Sequence, residues 1–178
     1  DEYASFKKND TFSLVDLPPG KKALSTKWVF KVKHETDGQR RFRARLVVRG
    51  CAQIQGQDYQ DTFSPVVKYA SLRYLLSLAV QNNLDIEHMD VKTAYLYGDI
   101  EEEIYVLPPP ELLEPAENGK VWRLHKAMYG LKQSGRCWNN KIDSVLRELG
   151  LKQSSADPCI YILQNKSTRL NHSGAVCR

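Results

Sequence analysis

One acidic residue stands where a divalent cation could be held. Asp90 closes the apolar-leaning run 86–89 and is followed at once by Val91 and a short stretch that ends at Tyr95. A carboxylate at the end of a core strand, with a tight backbone turn after it, suits metal-assisted nucleotidyl transfer, in which converging carboxylates hold two metal ions. The plainer alternative is that Asp90 caps a helix, because aspartate is favoured at that position. Residue type and position alone favour the cap.

A second candidate site lies at the start of a predicted helix. Gln133 and Arg136 open a segment whose apolar residues recur at helical spacing from Cys137 to Leu149. Backbone N–H groups and a cation at a helix N-terminus can contact phosphate. Ordinary capping and solvation of the helix explain the same two residues equally well.

Basic and apolar side chains alternate along two neighbouring segments. The apolar positions are Trp28, Phe30, Val32, Phe42, Ala44, Leu46 and Val48. Period-two alternation predicts two half-buried strands, and Asp37-Gly38 between them predicts a hairpin turn. We expect one face of the hairpin to bury its aromatic and aliphatic side chains. The other face would carry a double row of cations, formed by Lys27, Lys31, Lys33, Arg41, Arg43, Arg45 and Arg49.

The positive charge of the chain is concentrated in this region. Lys and Arg total 26 against 21 Asp and Glu, which gives a formal net charge of +5. Such a surface either keeps a protein soluble or contacts phosphates of a nucleic acid. The small net excess is consistent with an anionic partner but does not decide between the two.

The cysteines and the hydropathy exclude two other classes of protein. Cys51, Cys137, Cys159 and Cys177 show no C-x-x-C spacing, so a structural zinc site is not predicted and free thiols are expected. No apolar run approaches the roughly 20 residues that a membrane span needs. The chain begins with Asp1, from which we expect a fragment or a processed product.

Other segments would position the candidate residues. Apolar residues at helical spacing predict helices at 71–82 and 137–149. Short apolar runs predict strands at 84–91, 104–107, 121–124 and 159–163. The apolar pattern fades from Gln164 onward, where disorder is predicted. The order of elements predicts an α+β fold in which helices pack on an antiparallel sheet.

An ordered series of motifs runs through most of the chain. The blocks include Trp28-Val29-Phe30-Lys31, Arg43-Ala44-Arg45-Leu46-Val47, Thr62-Phe63-Ser64-Pro65-Val66, Met89-Asp90-Val91-Lys92-Thr93-Ala94-Tyr95-Leu96, Tyr129-Gly130-Leu131-Lys132-Gln133 and Asp157-Pro158-Cys159. From about residue 10 to about residue 163, the chain closely resembles the reverse transcriptase domain of copia-type retrotransposon polyproteins. Many blocks in one order are more specific than any single short motif.

The resemblance implies a right-hand polymerase fold. Residues 1–69 would form an N-terminal segment and the fingers hairpin, 70–163 a partial palm, and 164–178 a disordered or unrelated tail. The template would be RNA, the primer DNA and the substrate a deoxynucleoside triphosphate (dNTP), with Mg²⁺ or Mn²⁺ as cofactor. The rest of the Pol polyprotein would be the protein partner, and no membrane would be involved. The location would be cytoplasmic virus-like particles, with the nucleus as the alternative.

The resemblance also implies roles for single residues. Asp90 would be the first catalytic carboxylate, and the Val91 carbonyl would lie close to the metal ions. Tyr95 would screen the sugar 2′-hydroxyl, the alternative being a buried core aromatic. Arg43 and Arg45 would lie near the incoming triphosphate or the template, and Gln133 near the template or the incoming nucleotide. The residues expected to contact nucleic acid are Lys31, Lys33, Arg41 and Arg136.

The chain departs from the family pattern in two places. The family completes its metal site with a Tyr-x-Asp-Asp hairpin, whereas this sequence contains no adjacent Asp-Asp, and its one acid after Gly150 is Asp157. One carboxylate cannot hold two divalent cations, so we expect weak metal binding, no polymerase activity by the chain alone, and marginal stability. A non-catalytic nucleic-acid-binding module and a transposon relic without function are the alternatives. Gly135 stands where the family usually has proline, which could loosen the start of the second helix.

Overall fold

A computed structural model describes residues 2–35, 38–164 and 172–176 of the chain. Within this part it has three α-helices, which are α1 (Glu2–Lys8), α2 (Tyr69–Gln81) and α3 (Ser134–Glu148). The strands are β1 (Phe12–Val15), β2 (Ala23–Leu24), β3 (Thr26–His34), β4 (Arg40–Val48), β5 (Tyr105–Val106), β6 (Val121–Leu124), β7 (Lys152–Gln153), β8 (Ile160–Gln164) and β9 (His172–Val176).

The mixed α and β composition is confirmed, but the described strands do not form a single antiparallel sheet. They form a four-stranded sheet in the order β1-β6-β5-β2, the β3-β4 hairpin, and a three-stranded sheet in the order β7-β8-β9. β2 pairs with β5 in parallel. A long stretch of chain separates these two strands, and only such a long connection permits parallel pairing. Both predicted helices are confirmed as α2 and α3, and three predicted strands as β5, β6 and β8.

The chain divides into two compact units. Unit 1 comprises Asp1–Phe63 and Thr93–Trp138, and unit 2 comprises Ser64–Lys92 and Asn139–Arg178. The division into 1–69, 70–163 and 164–178 that the resemblance implies concerns function and stays a prediction.

The core of unit 1 is built around Trp122 on β6. This strand lies between β1 and β5, and Trp122 is buried, with Phe12 stacked on it at 4.0 Å between ring centroids. Phe6 of α1 meets the same ring edge-on at 6.4 Å. The buried cluster comprises Phe6, Leu24, Leu46, Val48, Leu96, Ile104, Val106, Trp122, Leu124, Met128 and Leu131. Leu46 and Val48 belong to β4, so the base of the hairpin is anchored in this core.

The predicted hairpin is confirmed, but its predicted burial is wrong for the outer half. β3 and β4 pair antiparallel, with Phe30 opposite Ala44 and Val32 opposite Phe42. Phe30 is 74% exposed and Phe42 79% exposed, whereas Leu46 is fully buried. Alternation sorts side chains between two faces, but burial also requires another element against the apolar face. The predicted turn at Asp37-Gly38 falls partly outside the described residues.

Unit 2 contains the main departure from prediction. Residues 84–91 are not a strand, and Ile86 and Met89 on this segment are 60% and 80% exposed. An extended segment becomes a strand only when its backbone groups pair with a neighbour, and no strand in the described part of the chain pairs with it.

The C-terminal segment also differs from prediction. Residues 164–178 were expected to be disordered or unrelated, yet Gln164 ends β8, and β9 pairs antiparallel with β8. Backbone hydrogen bonds of this kind do not require an apolar pattern, so β9 could not be predicted from hydrophobic periodicity. The remaining residues of this tail, 165–171 and 177–178, lie outside the described residues.

Candidate functional site

Two residues from distant parts of the sequence contact the same aromatic ring. The guanidinium carbon of Arg45 on β4 lies 4.8 Å from the ring centroid of Tyr129. Tyr95, in the 3₁₀ turn Ala94–Tyr97, meets the Tyr129 ring edge-to-face at 5.0 Å between centroids. Arg43 precedes Arg45 by two residues on the same face of β4 and acts electrostatically on Tyr129. We call Arg43, Arg45, Tyr95 and Tyr129 the arginine–tyrosine cluster.

Two glycines allow β4 to approach the turn that carries Tyr129. The N–H of Val48 donates to the carbonyl of Tyr129 at 2.8 Å. Gly130 has φ of +96°, in the left-handed region, and a Cβ there would overlap the Val48 carbonyl oxygen. A Cβ on Gly50 would overlap the carbonyl oxygen of Gly130. The contact is therefore made backbone to backbone, which fixes the position of Tyr129 relative to Arg45.

One carboxylate is close enough to affect the charge of the cluster. Burial raises the pKa of Glu2 on α1, whereas the Leu46 N–H and the charges of Arg45 and Arg43 act in the opposite direction. Burial also raises the pKa of the Tyr129 phenol. An anionic ligand bound here would be attracted by the guanidinium groups of Arg43 and Arg45 and would lie near the carboxyl group of Glu2.

Gln133 is engaged inside unit 1 rather than open to a ligand. Its side chain is 1% exposed, and its amide nitrogen donates to the Asp58 carbonyl at 2.9 Å and to Glu102 at 3.3 Å. Its amide oxygen accepts from Gln53 at 3.0 Å. Gln53 in turn accepts from the backbone N–H of Lys132 at 2.7 Å. The Gln133 amide therefore joins the 50–63 loop to α3, and its contact with a template or nucleotide stays a prediction.

Arg136 also contacts this loop. Its guanidinium forms an ion pair with Asp61, and both side chains are partly exposed. The Phe63 N–H donates to Asp61 at 3.0 Å and lowers the pKa of that carboxyl, and Arg136 lowers it further. Any contact between Arg136 and nucleic acid would compete with an existing acid.

The hairpin brings the predicted cations into facing pairs. Across the ladder Lys31 lies opposite Arg43, and Lys33 lies opposite Arg41. The double row of cations is therefore confirmed for these four residues, whereas Lys27 lies opposite Val47 and Arg45 opposite Val29. Glu35 forms an ion pair with Arg41 at 3.3 Å. Like charges placed directly opposite destabilise a strand pair, and an anion between them would offset that cost.

Comparison with known proteins is decisive for the family. A family model described as "Reverse transcriptase (RNA-dependent DNA polymerase)" matches residues 9–172. The chain belongs to the reverse transcriptase family. No solved structure gives a significant match to it.

This reverse transcriptase segment is similar to parts of retrotransposon polyproteins. It is 46% identical over 162 residues to the "Retrovirus-related Pol polyprotein from transposon TNT 1-94" of Nicotiana tabacum, covering 90% of the chain and 12% of that protein. It is 37% identical over 158 residues to the corresponding polyprotein from transposon RE1 of Arabidopsis thaliana, covering 88% of the chain and 11% of that protein. The resemblance to copia-type polyproteins is therefore confirmed, and the chain spans about a tenth of the length of these relatives.

The predicted metal ligands of the reverse transcriptase segment lie in unit 2. Asp90 and Val91 are exposed and follow the unpaired segment that begins at Leu84. Among the described residues, no group of three or more His, Cys, Asp or Glu side chains could hold a metal ion. One carboxylate and one carbonyl do not fit a two-metal centre.

Sequence reasoning missed the residues that join the site together. No individual role was assigned from the sequence to five of them, which are Tyr129, Lys132, Gln53, Asp58 and Glu102. The signal available in the sequence was Gly130 itself, because a glycine in a motif often marks a close approach of two backbone segments.

None of the described helices is long and apolar enough to cross a bilayer.

Proposed function

We propose that the chain is part of an RNA-directed DNA polymerase and that its arginine–tyrosine cluster contacts the incoming dNTP. The observation that carries the proposal is the shared contact with Tyr129. It brings Arg45, which the family resemblance assigns to the triphosphate or template, to the same ring as Tyr95, which the resemblance assigns to the sugar.

The right-hand architecture belongs to this proposal. The β3-β4 hairpin would be the fingertips, with Lys31, Lys33 and Arg41 directed at an RNA template and DNA primer. Cations on an exposed two-stranded ribbon suit phosphate contacts that do not depend on sequence. The Pol polyprotein would supply the remaining parts, and the cytoplasmic particle location stays a prediction.

We further propose that the 178-residue chain does not extend a primer by itself. Asp90 would be one ligand of Mg²⁺ or Mn²⁺, held weakly because the other carboxylates of a two-metal site are not found among the described residues. Primer extension on an RNA template with either metal tests this directly. No extension is expected, and robust extension that Asp90→Asn abolishes would overturn the proposal.

A non-catalytic nucleic-acid-binding module is the second candidate function, favoured by the facing cations of the hairpin. Fluorescence anisotropy with an RNA–DNA hybrid would measure its affinity. Lys31→Ala and Lys33→Ala are expected to weaken binding and flatten its salt dependence, whereas Lys141→Ala, an exposed lysine outside the hairpin, should do neither. Binding without extension supports the module, and equal effects of all three variants would exclude the hairpin as the contact surface.

A further inference from the structure

The ring of Tyr129 contacts its two neighbours in different geometries. Its face carries the Arg45 guanidinium at 4.8 Å, and Tyr95 meets the ring at an interplanar angle of 65°. A cation is attracted to the face of an aromatic ring, and aromatic pairs prefer edge-to-face contact. One side chain can therefore hold an arginine and a tyrosine at a defined separation.

The ring is itself held by the backbone. The Tyr129 carbonyl accepts a hydrogen bond from the Val48 N–H at 2.8 Å. The next residue, Gly130, packs so closely against the Val48 carbonyl that a Cβ would not fit. Arg45 and Val48 lie on the same strand. A displacement of β4 would therefore move Tyr129 with the arginines.

We propose that Tyr129 is a positioning residue that sets the distance between Arg45 and Tyr95, and thereby the preference of the site for a deoxyribonucleotide over a ribonucleotide. The inference rests on the proposed function, because it takes Arg45 as a phosphate contact and Tyr95 as a sugar contact. Without the ring, Arg45 regains rotamer freedom and Tyr95 loses the neighbour that restrains it. The phosphate contact, Arg45, and the sugar contact, Tyr95, would then no longer be held at a fixed distance from each other.

The test compares three probes on the intact 178-residue chain by NMR titration in EDTA. dATP and ATP differ only in the 2′-hydroxyl, and inorganic tripolyphosphate reports the charge contact alone. The original chain is expected to bind dATP more tightly than ATP. Tyr129→Leu is expected to abolish that preference and to weaken tripolyphosphate binding roughly two- to fivefold, the range of one exposed cation–π contact. Tyr129→Phe keeps the ring and is expected to rescue both properties.

Each outcome separates the inference from the function on which it rests. If the original chain prefers dATP and Tyr129→Leu preserves both the preference and the tripolyphosphate affinity, the positioning role is wrong and the nucleotide site stands. If the original chain does not bind dATP, or binds ATP equally well, the proposed nucleotide site itself fails.

A second measurement covers the case in which Tyr129→Leu does not fold. Arg45→Ala, Tyr95→Ala and the double variant form a cycle for dATP affinity that leaves Tyr129 in place. Because both side chains share one ring, their effects are expected to be non-additive. Additive effects would overturn the positioning role.

Discussion

The side-chain amides of Gln53 and Gln133 are hydrogen-bonded at 3.0 Å across 80 positions of sequence. Both residues are nearly fully buried, at 5% and 1% exposure. Gln53 uses its amide oxygen for the Lys132 N–H, and Gln133 uses its amide nitrogen for the Asp58 carbonyl. The pair therefore joins the loop after β4 to the start of α3 through side chains that are almost fully buried.

Removal of the Gln53 side chain should leave two groups without their hydrogen-bond partner. Gln53→Ala is expected to lower the free energy of unfolding by about 1–3 kcal/mol, because the Lys132 N–H and the Gln133 amide oxygen lose their bonds. Urea unfolding measures the change. Gln60→Ala, an exposed glutamine in the same loop, should change stability by less than about 0.5 kcal/mol. Equal costs for the two variants would contradict the importance of the buried pair.

Gly130 should tolerate no side chain. Gly130→Ala is expected to destabilise the chain by more than about 3 kcal/mol, because its Cβ would overlap the Val48 carbonyl oxygen in addition to the strain of positive φ. Gly119→Ala is the matched control, with φ of +87° and nothing within 4 Å of its Cβ. It should cost about 1–2 kcal/mol, from the backbone alone. Similar melting temperatures for the two variants would show that the close contact with β4 does not form.

The two halves of the hairpin should respond differently to truncation. Leu46→Ala removes a fully buried side chain and is expected to cost about 2–5 kcal/mol. Phe42→Ala, on the same strand but 79% exposed, should cost less than about 1 kcal/mol. Thermal unfolding of both variants measures the difference. A larger loss for Phe42→Ala would mean that its ring is covered in solution.

Asp157 should make stability fall in acid. Its carboxylate accepts from the Ser71 hydroxyl and from the N–H groups of Cys159 and Lys68, which lowers its pKa below 3.8. Protons then bind the unfolded state more readily, so the stabilisation is complete above pH 3.8 and is lost as pH falls through the lowered pKa. Asp157→Asn should therefore melt lower than the original chain at pH 7, with the gap closing in acid. Asp85→Asn, an exposed aspartate, should show no such gap at any pH.

The cysteines should differ in reactivity. Burial raises the pKa of Cys137 to about 11, which leaves about one thiol in a thousand ionised at pH 8. Cys51 is exposed and should react first with iodoacetamide. Mass spectrometry of a Cys177→Ser variant would follow the labelling, since Cys177 lies outside the described residues. Rapid modification of Cys137 in the folded chain would show that its thiol is not buried.

Local patterns predicted the elements whose partners are close in sequence. The alternation from Trp28 to Val48 was enough for the hairpin and its cationic face, and helical spacing was enough for α2 and α3. The same alternation did not show that Phe30 and Phe42 lie exposed, because it is silent about what covers an apolar face. The run at 84–91 has strand composition, but composition does not supply the neighbouring strand that pairing requires.

The candidate site was predictable as separate residues and not as an arrangement. Family resemblance pointed to Arg45 and Tyr95 individually, whereas their common contact with Tyr129 depends on tertiary packing through Gly130 and Val48. Gln133 was predicted to lie near the template or the incoming nucleotide, and that stays a prediction. Its burial and its hydrogen bond with Gln53 were not predictable, because no periodicity connects two residues 80 positions apart.

The facing cations of the hairpin have a consequence for how this part of the chain folds. Lys31 opposes Arg43 and Lys33 opposes Arg41, so the two strands come together against their own repulsion. A bound polyanion lowers that repulsion, and by linkage it must also raise the population of the paired form. Recognition and local folding are then two descriptions of one equilibrium, and the amide protons of the outer ladder should exchange more slowly when nucleic acid is present.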